Sequence, residues 1–234
     1  MKYAIIIPTY NEEENIEELT KLIFETLKTE DFSIIFVDDS PNNLTANKIT
    51  EAKEKYKNII LFKGSEKSGL ATAYIEGMKK ARELGFDWVI QMDADLSHNP
   101  KYLPTMFELL KTNDLVIGSR NIKGGDVPDW GILRKIISKG GSLYSKFILS
   151  CKINDLTGGF NGWRMELLDK IGLNNIISKG YCFQIEMKYR ASKLGAKITE
   201  FPIIFYDRKK GVSKMSKAIF FEALLNVIKL RFLR

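Results

Sequence analysis

Short apolar runs alternate with longer stretches whose apolar positions recur every three or four residues. "YAIIIP" (3–8) reads as a buried strand, and "NEEENIEELTKLIFETLK" (11–28) as an amphipathic helix with acids in its first turn. The alternation continues with "FSIIFVDDS" (32–40) as a strand, "LTANKITEAKEKY" (44–56) as a helix and "NIILF" (58–62) as a strand. "GLATAYIEGMKKARELG" (69–85) is a helix stopped by Gly85, and "DWVIQMD" (87–93) is a fourth strand. "PKYLPTMFELLK" (100–111) and "DLVIGSR" (114–120) add another helix–strand step. This β-α-β-α order predicts an α/β fold, a mostly parallel central sheet with helices on both faces. Ligands in such sheets bind at the carboxyl ends of the strands, where Pro8, Asp38, Asp39, Asp93 and Asp95 all fall.

Beyond Arg120 the pattern loosens. Residues 121–131 carry Gly and Pro and read as a loop, and 132–150 mix apolar residues with Arg134, Lys135, Lys139 and Lys146. "DLTGGFNGWR" (155–164), with three glycines, reads as a loop. "FQIEMKYRASKLG" (183–195) is helical and "KITEFPIIFYD" (197–207) strand-like. No repeat, low-complexity tract or linker interrupts the 234 residues, so a single domain is expected.

Charge changes this picture more than composition does. From Arg208 to Arg234 there are eight Lys or Arg against Glu222 alone, so this tail carries the whole formal charge of +7. A localised basic tail points to an anionic partner. "AIFFEALLNVIKL" (218–230), about a dozen residues with Glu222 and Lys229 inside, falls short of the ~20 needed to span a bilayer. Its pattern suits a helix lying on a surface, and the anionic partner stays open among phosphate, a membrane surface and nucleic acid. Two cysteines without C-x-x-C spacing argue against zinc or a disulfide framework and fit a reducing cytosol. Met1-Lys2-Tyr3 leads into a strand, so no signal peptide is expected.

The candidate chemistry lies in "VIQMDADLSHNP" (89–100), a strand ending in two aspartates one residue apart. Like charges repel unless a cation or solvent intervenes. Mg²⁺ takes oxygen ligands, commonly one or two carboxylates plus substrate phosphates, and Asp93 and Asp95 suit it, with Ser97 as a weak or water-mediated third contact. A lone D-x-D is more often a pair of capping acids. A second acidic strand end, "VDDS", shifts the balance toward a metal. There is no Walker-type loop and no G-x-G-x-x-G after the first strand, which disfavours P-loop NTPases and dinucleotide oxidoreductases. His98, the only histidine, reads as a turn residue near the metal, so His-based triads are not expected.

The motifs "PTYNE" (8–12), "VDDS" (37–40), "GLATAY" (69–74), "MDADLSHNP" (92–100), "GSR" (118–120), "DLTGGF" (155–160) and "FYDRKKGVSKM" (205–215) occur in this order. Together they resemble family 2 glycosyltransferases of GT-A fold, most closely the dolichol-phosphate (polyprenyl-phosphate) mannose synthases. The resemblance covers nearly the whole chain, and the Q-x-x-R-W motif of processive synthases is absent. It implies an inverting transfer of mannose from GDP-mannose to a dolichyl or polyprenyl phosphate, with Mg²⁺ or Mn²⁺. It implies that Pro8, Tyr10, Glu12, Val37 and Asp39 line a nucleoside pocket, with Asp93 near base or ribose. Asp93, Ala94, Asp95 and Ser97 would surround metal and diphosphate, and Asp95, Arg120, Arg134 and Arg208 would act in catalysis. Arg208 and Lys214 would also meet the donor. Residues 1–120 would then be the nucleotide-sugar and metal half, 121–214 the acceptor half and 215–234 a basic amphipathic membrane-surface helix, which with a lipid acceptor would make the protein cytoplasmic and peripheral on the cytoplasmic face of a membrane. A small membrane partner subunit is left undetermined.

The mechanism can be argued independently. A sugar moved to an alcohol normally needs a carboxylate base, whereas a phosphate monoester, with a second pKa near ~6, is already anionic. It needs cations that hold two anionic reactants together. Three rivals stay open. One is UDP-glucose or another donor with the same acceptor. Another is a hydroxyl acceptor with Asp155 or Glu186 as base. The third is a non-enzymatic module binding anionic membranes or nucleic acid, although strand-end acids would repel nucleic acid, and none is expected as a partner.

Overall fold

The computed structural model describes residues 2–28, 31–64, 69–178, 180, 182–207 and 217–232, with side chains of the last segment described from residue 224. Seven strands form one sheet: β1 (Tyr3–Thr9), β2 (Phe32–Asp38), β3 (Ile59–Lys63), β4 (Trp88–Gln91), β5 (Leu115–Ser119), β6 (Asn161–Arg164) and β7 (Ile198–Pro202). Their order is β3-β2-β1-β4-β6-β5-β7, and only β6 runs antiparallel to its neighbours. The helices are α1 (Glu13–Thr26), α2 (Leu44–Lys55), α3 (Leu70–Glu83), α4 (Leu103–Leu110), α5 (Ile132–Leu149), α6 (Met165–Ile171), α7 (Cys182–Lys193) and α8 (Lys217–Phe232).

The two-residue period of a strand divides the core. Tyr3, Ile5 and Ile7 pack with Phe32, Ile34 and Phe36 under α1, α2 and α4. Ala4, Ile6, Ile35, Val37 and Val89 pack on the opposite face with α3 and α7. This is the expected α/β architecture, and the sheet draws strands from both halves of the chain.

Three expectations change. The segment 155–164 is not all loop, because Asn161–Arg164 enters the sheet between β4 and β5. Gly162 is what admits it, since a Cβ there would lie 2.7 Å from Leu110 Cδ1 on α4. The strand read over 197–207 ends at Pro202, followed by a bridge between Asp126 and Ile204. The C-terminal helix is not purely a surface element: Val227 and Leu230 are buried in the core beside α5 and α7, while Leu225, Ile228 and Phe232 are exposed.

The most exposed apolar face belongs to α5. Ile132 is 79% and Phe147 82% exposed, with Leu133, Ile136 and Leu143 beside them, while the same helix buries Ser142 and Ser145. A helix that buries serine and presents isoleucine and phenylalanine outward inverts the usual pattern. Among the described residues, no helix is long and apolar enough to cross a membrane.

Candidate active site

The turns after β1 and β2 are bonded into one wall. Asn11 takes a left-handed turn (φ 56°), and its N–H donates to Ser40 Oγ at 2.9 Å. The Asp39 N–H donates to Thr9 O at 3.1 Å, and Asp38 Oδ1 accepts from Thr9 Oγ1 at 3.0 Å. This brings Pro8, Tyr10, Glu12 and Asp39 to the carboxyl ends of adjacent strands. Gly64 lies directly opposite, because a Cβ there would collide with Asp39 Oδ1. The Val37 side chain turns the other way, into the core against Gly77 of α3.

Just beyond β4 the chain turns through Leu96 (φ 63°), and the paired aspartates are part-buried there. Asp93 Oδ1 accepts from the Tyr74 hydroxyl at 2.7 Å; burial pushes that phenol well above its ordinary pKa, so it stays a neutral donor. The Asp93 N–H donates to His98 Nδ1 at 2.9 Å, which leaves the proton on Nε2, 3.9 Å from Asp93 Oδ2. His98 is buried between Phe160 and Phe205, and burial lowers its pKa against the upward pull of Asp93 and Asp95. A neutral phenol and a neutral imidazole orient Asp93 without cancelling its charge. Asp95 Oδ1 accepts from both the N–H (3.1 Å) and Oγ (2.5 Å) of Ser97, so that buried serine fixes the carboxylate. Ala94 is buried between the two acids.

This donor set fits a hard divalent cation. It is all oxygen, and His98 offers no ring lone pair, since Nδ1 accepts and Nε2 is protonated. Among the described residues no group of three or more His, Cys, Asp or Glu could hold a metal, so two carboxylates would leave the remaining positions to water and substrate.

Against the aspartates lies the segment 155–159. A Cβ on Gly159 would sit 3.4 Å from His98 Cε1 and 3.7 Å from Asp93 Oδ2. Arg120 reaches Asp155 through Nε (2.8 Å) and Nη2 (2.7 Å), and Nη2 also donates to Thr157 Oγ1 at 3.0 Å. Asp155 is fully buried; burial works to raise its pKa, but the Arg120 guanidinium outweighs this and holds it well below the usual carboxylate range. Arg120 therefore turns its fork inward, onto this segment. Arg134, at the start of α5, is half-exposed, bonds Asp207 Oδ2 at 2.6 Å and stacks 4.0 Å over the Trp130 ring. The expectations for Arg208 and Lys214 lie outside the described residues.

Reasoning from the sequence did not single out Tyr74, Phe160, Phe205, Trp130 or Lys188. The first three stand in quoted motifs, "GLATAY", "DLTGGF" and "FYDRKKGVSKM", and that was the available signal. Lys188 carried none, since a lysine in a helix normally reads as a solvated charge.

A profile described as glycosyl transferase family 2 matches residues 4–172. The chain is 39% identical to the undecaprenyl-phosphate mannosyltransferase of Micrococcus luteus, over 97% of this chain and 93% of that one. It is 37% identical to the polyprenol monophosphomannose synthase of Mycolicibacterium smegmatis, over 95% of this chain and 84% of that one. Solved structures share the fold at lower identity. A mycobacterial protein superposes with a TM-score of 0.70 at 17% identity, covering 98% of this chain and 73% of that one. So does the glucosyl-3-phosphoglycerate synthase of Mycobacterium tuberculosis, in complex with Mn²⁺, uridine diphosphate and glucosyl-3-phosphoglycerate; its TM-score is 0.68 at 16% identity, over 98% and 78%. With a GT-A-like sheet and paired aspartates at the end of its central strand, this chain belongs to glycosyl transferase family 2.

Proposed function

We propose that the protein transfers mannose from GDP-mannose to a polyprenyl phosphate, releasing GDP. The names of the M. luteus and M. smegmatis relatives support the sugar and the acceptor class. The observation that carries the reading is the state of the two carboxylates that a hydroxyl acceptor would need as base. Asp155 is fully buried and engaged by Arg120 and by the Gly158 N–H. Glu186 is fully buried and accepts from Ser178 N–H (2.8 Å) and Arg190 Nε (2.9 Å). Neither is placed to take a proton from an incoming alcohol, whereas a phosphate monoester arrives already ionised.

In this reading a phosphate oxygen attacks the anomeric carbon as its bond to the nucleoside diphosphate breaks. The bonding pair leaves on the diphosphate, and the configuration inverts. Pro8, Tyr10, Glu12 and Asp39 hold the nucleoside. Asp93 and Asp95 would hold Mg²⁺ or Mn²⁺, and the bound ion would supply charge neutralisation for the departing diphosphate. Arg134 releases Asp207 to meet a phosphate; an exposed ion pair contributes only about 0–1 kcal/mol, so the exchange costs little. Arg208 and Lys214 complete the cationic side. α5 contains Arg134, Lys135, Lys139 and Lys146 and no acid, and its outward apolar face rests with α8 on an anionic bilayer, making the protein peripheral.

The test is a panel of nucleotide sugars offered with a polyprenyl phosphate and, separately, with the corresponding free polyprenol. A mannolipid formed from GDP-mannose and the phosphate alone is expected. Transfer to the free alcohol, or from another donor only, overturns the proposal.

A further inference from the structure

We propose that Lys188 is a positioning residue of this reaction, whose ammonium seats the 155–159 segment so that Gly159 abuts Asp93. Lys188 stands on α7 with no exposed surface. Its Nζ donates to Gly158 O at 2.7 Å and Asp155 O at 2.8 Å, with Leu156 O at 3.5 Å. Three carbonyls of one tight turn thus converge on one cation.

The turn is gripped from the other side by an acid. Glu200, on β7, accepts from the N–H groups of Asn154 (2.8 Å) and Asp155 (3.0 Å). Lys188 holds carbonyls and Glu200 holds amides, so the two charges act on each other through the peptide groups between them. Arg120 closes the third side through Asp155. Burying an ammonium is costly, and here the cost is offset by the carbonyls of the turn and by the Asp155 and Glu200 carboxylates. A lysine in this place therefore ties its own burial to one conformation of the 155–159 segment. The geometry served is that of the aspartates: Gly158, whose carbonyl Lys188 holds, adjoins Gly159, and Gly159 faces Asp93 Oδ2 and His98. Burial lowers the Lys188 pKa to about 8, with Asp155 and Glu200 pulling it up and Arg120 down, so the cation persists at neutral pH.

The inference rests on the proposed transfer reaction, and two independent readouts test it. The first, hydrogen exchange of the peptide spanning 154–161, needs no substrate. The second is the separation of kcat from donor KM. In Lys188→Met the segment is expected to exchange at least about 10-fold faster, with the sheet unchanged. The expected fall in kcat is about 10–100-fold, as for loss of a group that orients catalytic ligands, with donor KM within about threefold. Wild-type exchange in that segment overturns the proposal, as does wild-type kcat or a loss confined to KM. If Lys188→Met does not fold, Glu200→Gln loosens the same turn from the opposite side. It must then show the same two effects, and wild-type behaviour in it overturns the proposal. If the wild-type protein forms no glycolipid, the transfer reaction fails separately, and the exchange readout still decides whether Lys188 seats the segment.

Discussion

The Tyr74 hydroxyl donates to Asp93 Oδ1 at 2.7 Å, and the rest of that side chain is sealed in the core. A fixed donor on one carboxylate oxygen decides which way the other points. In Tyr74→Phe the carboxylate is free to rotate, and water replaces the lost donor at a part-buried site. The Mn²⁺ concentration giving half-maximal rate is expected to rise about 10-fold, with little change in Tm. An unchanged metal titration would remove Tyr74 from the site.

Asp95→Asn keeps the shape and the Ser97 bonds but halves the charge of the pair. Turnover should vanish, while Tm stays level or rises because a repulsion is relieved. Activity near wild type, or full wild-type activity in excess chelator, would rule out the metal assignment.

Asp155→Asn leaves the Arg120 guanidinium enclosed without its counter-charge. Breaking a buried pair from one side costs about 3–5 kcal/mol, measurable by urea unfolding at pH 7. The Asp155 carboxyl is held below its unfolded value, so its contribution is fully present above about pH 4 and is lost as pH falls toward the folded pKa. The gap between wild type and variant should therefore narrow only in acid.

Lys188 titrates with the opposite sense. Its folded pKa of about 8 lies below the ordinary 10.5, so the folded state disfavours its charge. Between about pH 8 and 10.5 the unfolded chain binds the proton more tightly. Wild type should accordingly gain stability relative to Lys188→Met across that window, at up to about 1.4 kcal/mol per pH unit. A flat difference from pH 7 to 10.5 would contradict the depressed pKa.

Ile132→Ser combined with Phe147→Ser changes two residues that are 79% and 82% exposed. Tm should hold within a few degrees, while co-sedimentation with vesicles rich in anionic lipid falls at least about 10-fold. Loss of folding, or unchanged vesicle binding, would assign the α5 face to something other than a bilayer.

The first 120 residues were legible because β1, β2, β4 and β5 are buried on both faces and therefore nearly continuously apolar. The D-x-D turn was legible because two acids close an apolar strand and "VDDS" closes another, whereas the hold of Ser97 on Asp95 emerged only in the structure. What stayed hidden depends on distant partners. Asn161–Arg164 reads as a loop because Gly162 answers to Leu110 and Met106 of α4. α7 buries Gln184, Glu186 and Lys188 along with its apolar residues, so no polar face marks its orientation. The apolar residues of α5 face outward, a distinction hydropathy alone does not make.

The antiparallel insertion of β6 has a consequence for the order of folding. β4 and β5 meet only through β6, and the Gln91–Asn161 contact closes a separation of 70 residues. Such closures are entropically disfavoured and form slowly compared with the nearby β1–β2 and β2–β3 pairings. The wall built by the turns after β1 and β2 is thus expected to form early, and the floor opposite Asp93 to arrive when β6 docks. A chain caught before that step would hold both acids yet lack Gly159 beside them, so competence for chemistry is acquired together with completion of the sheet.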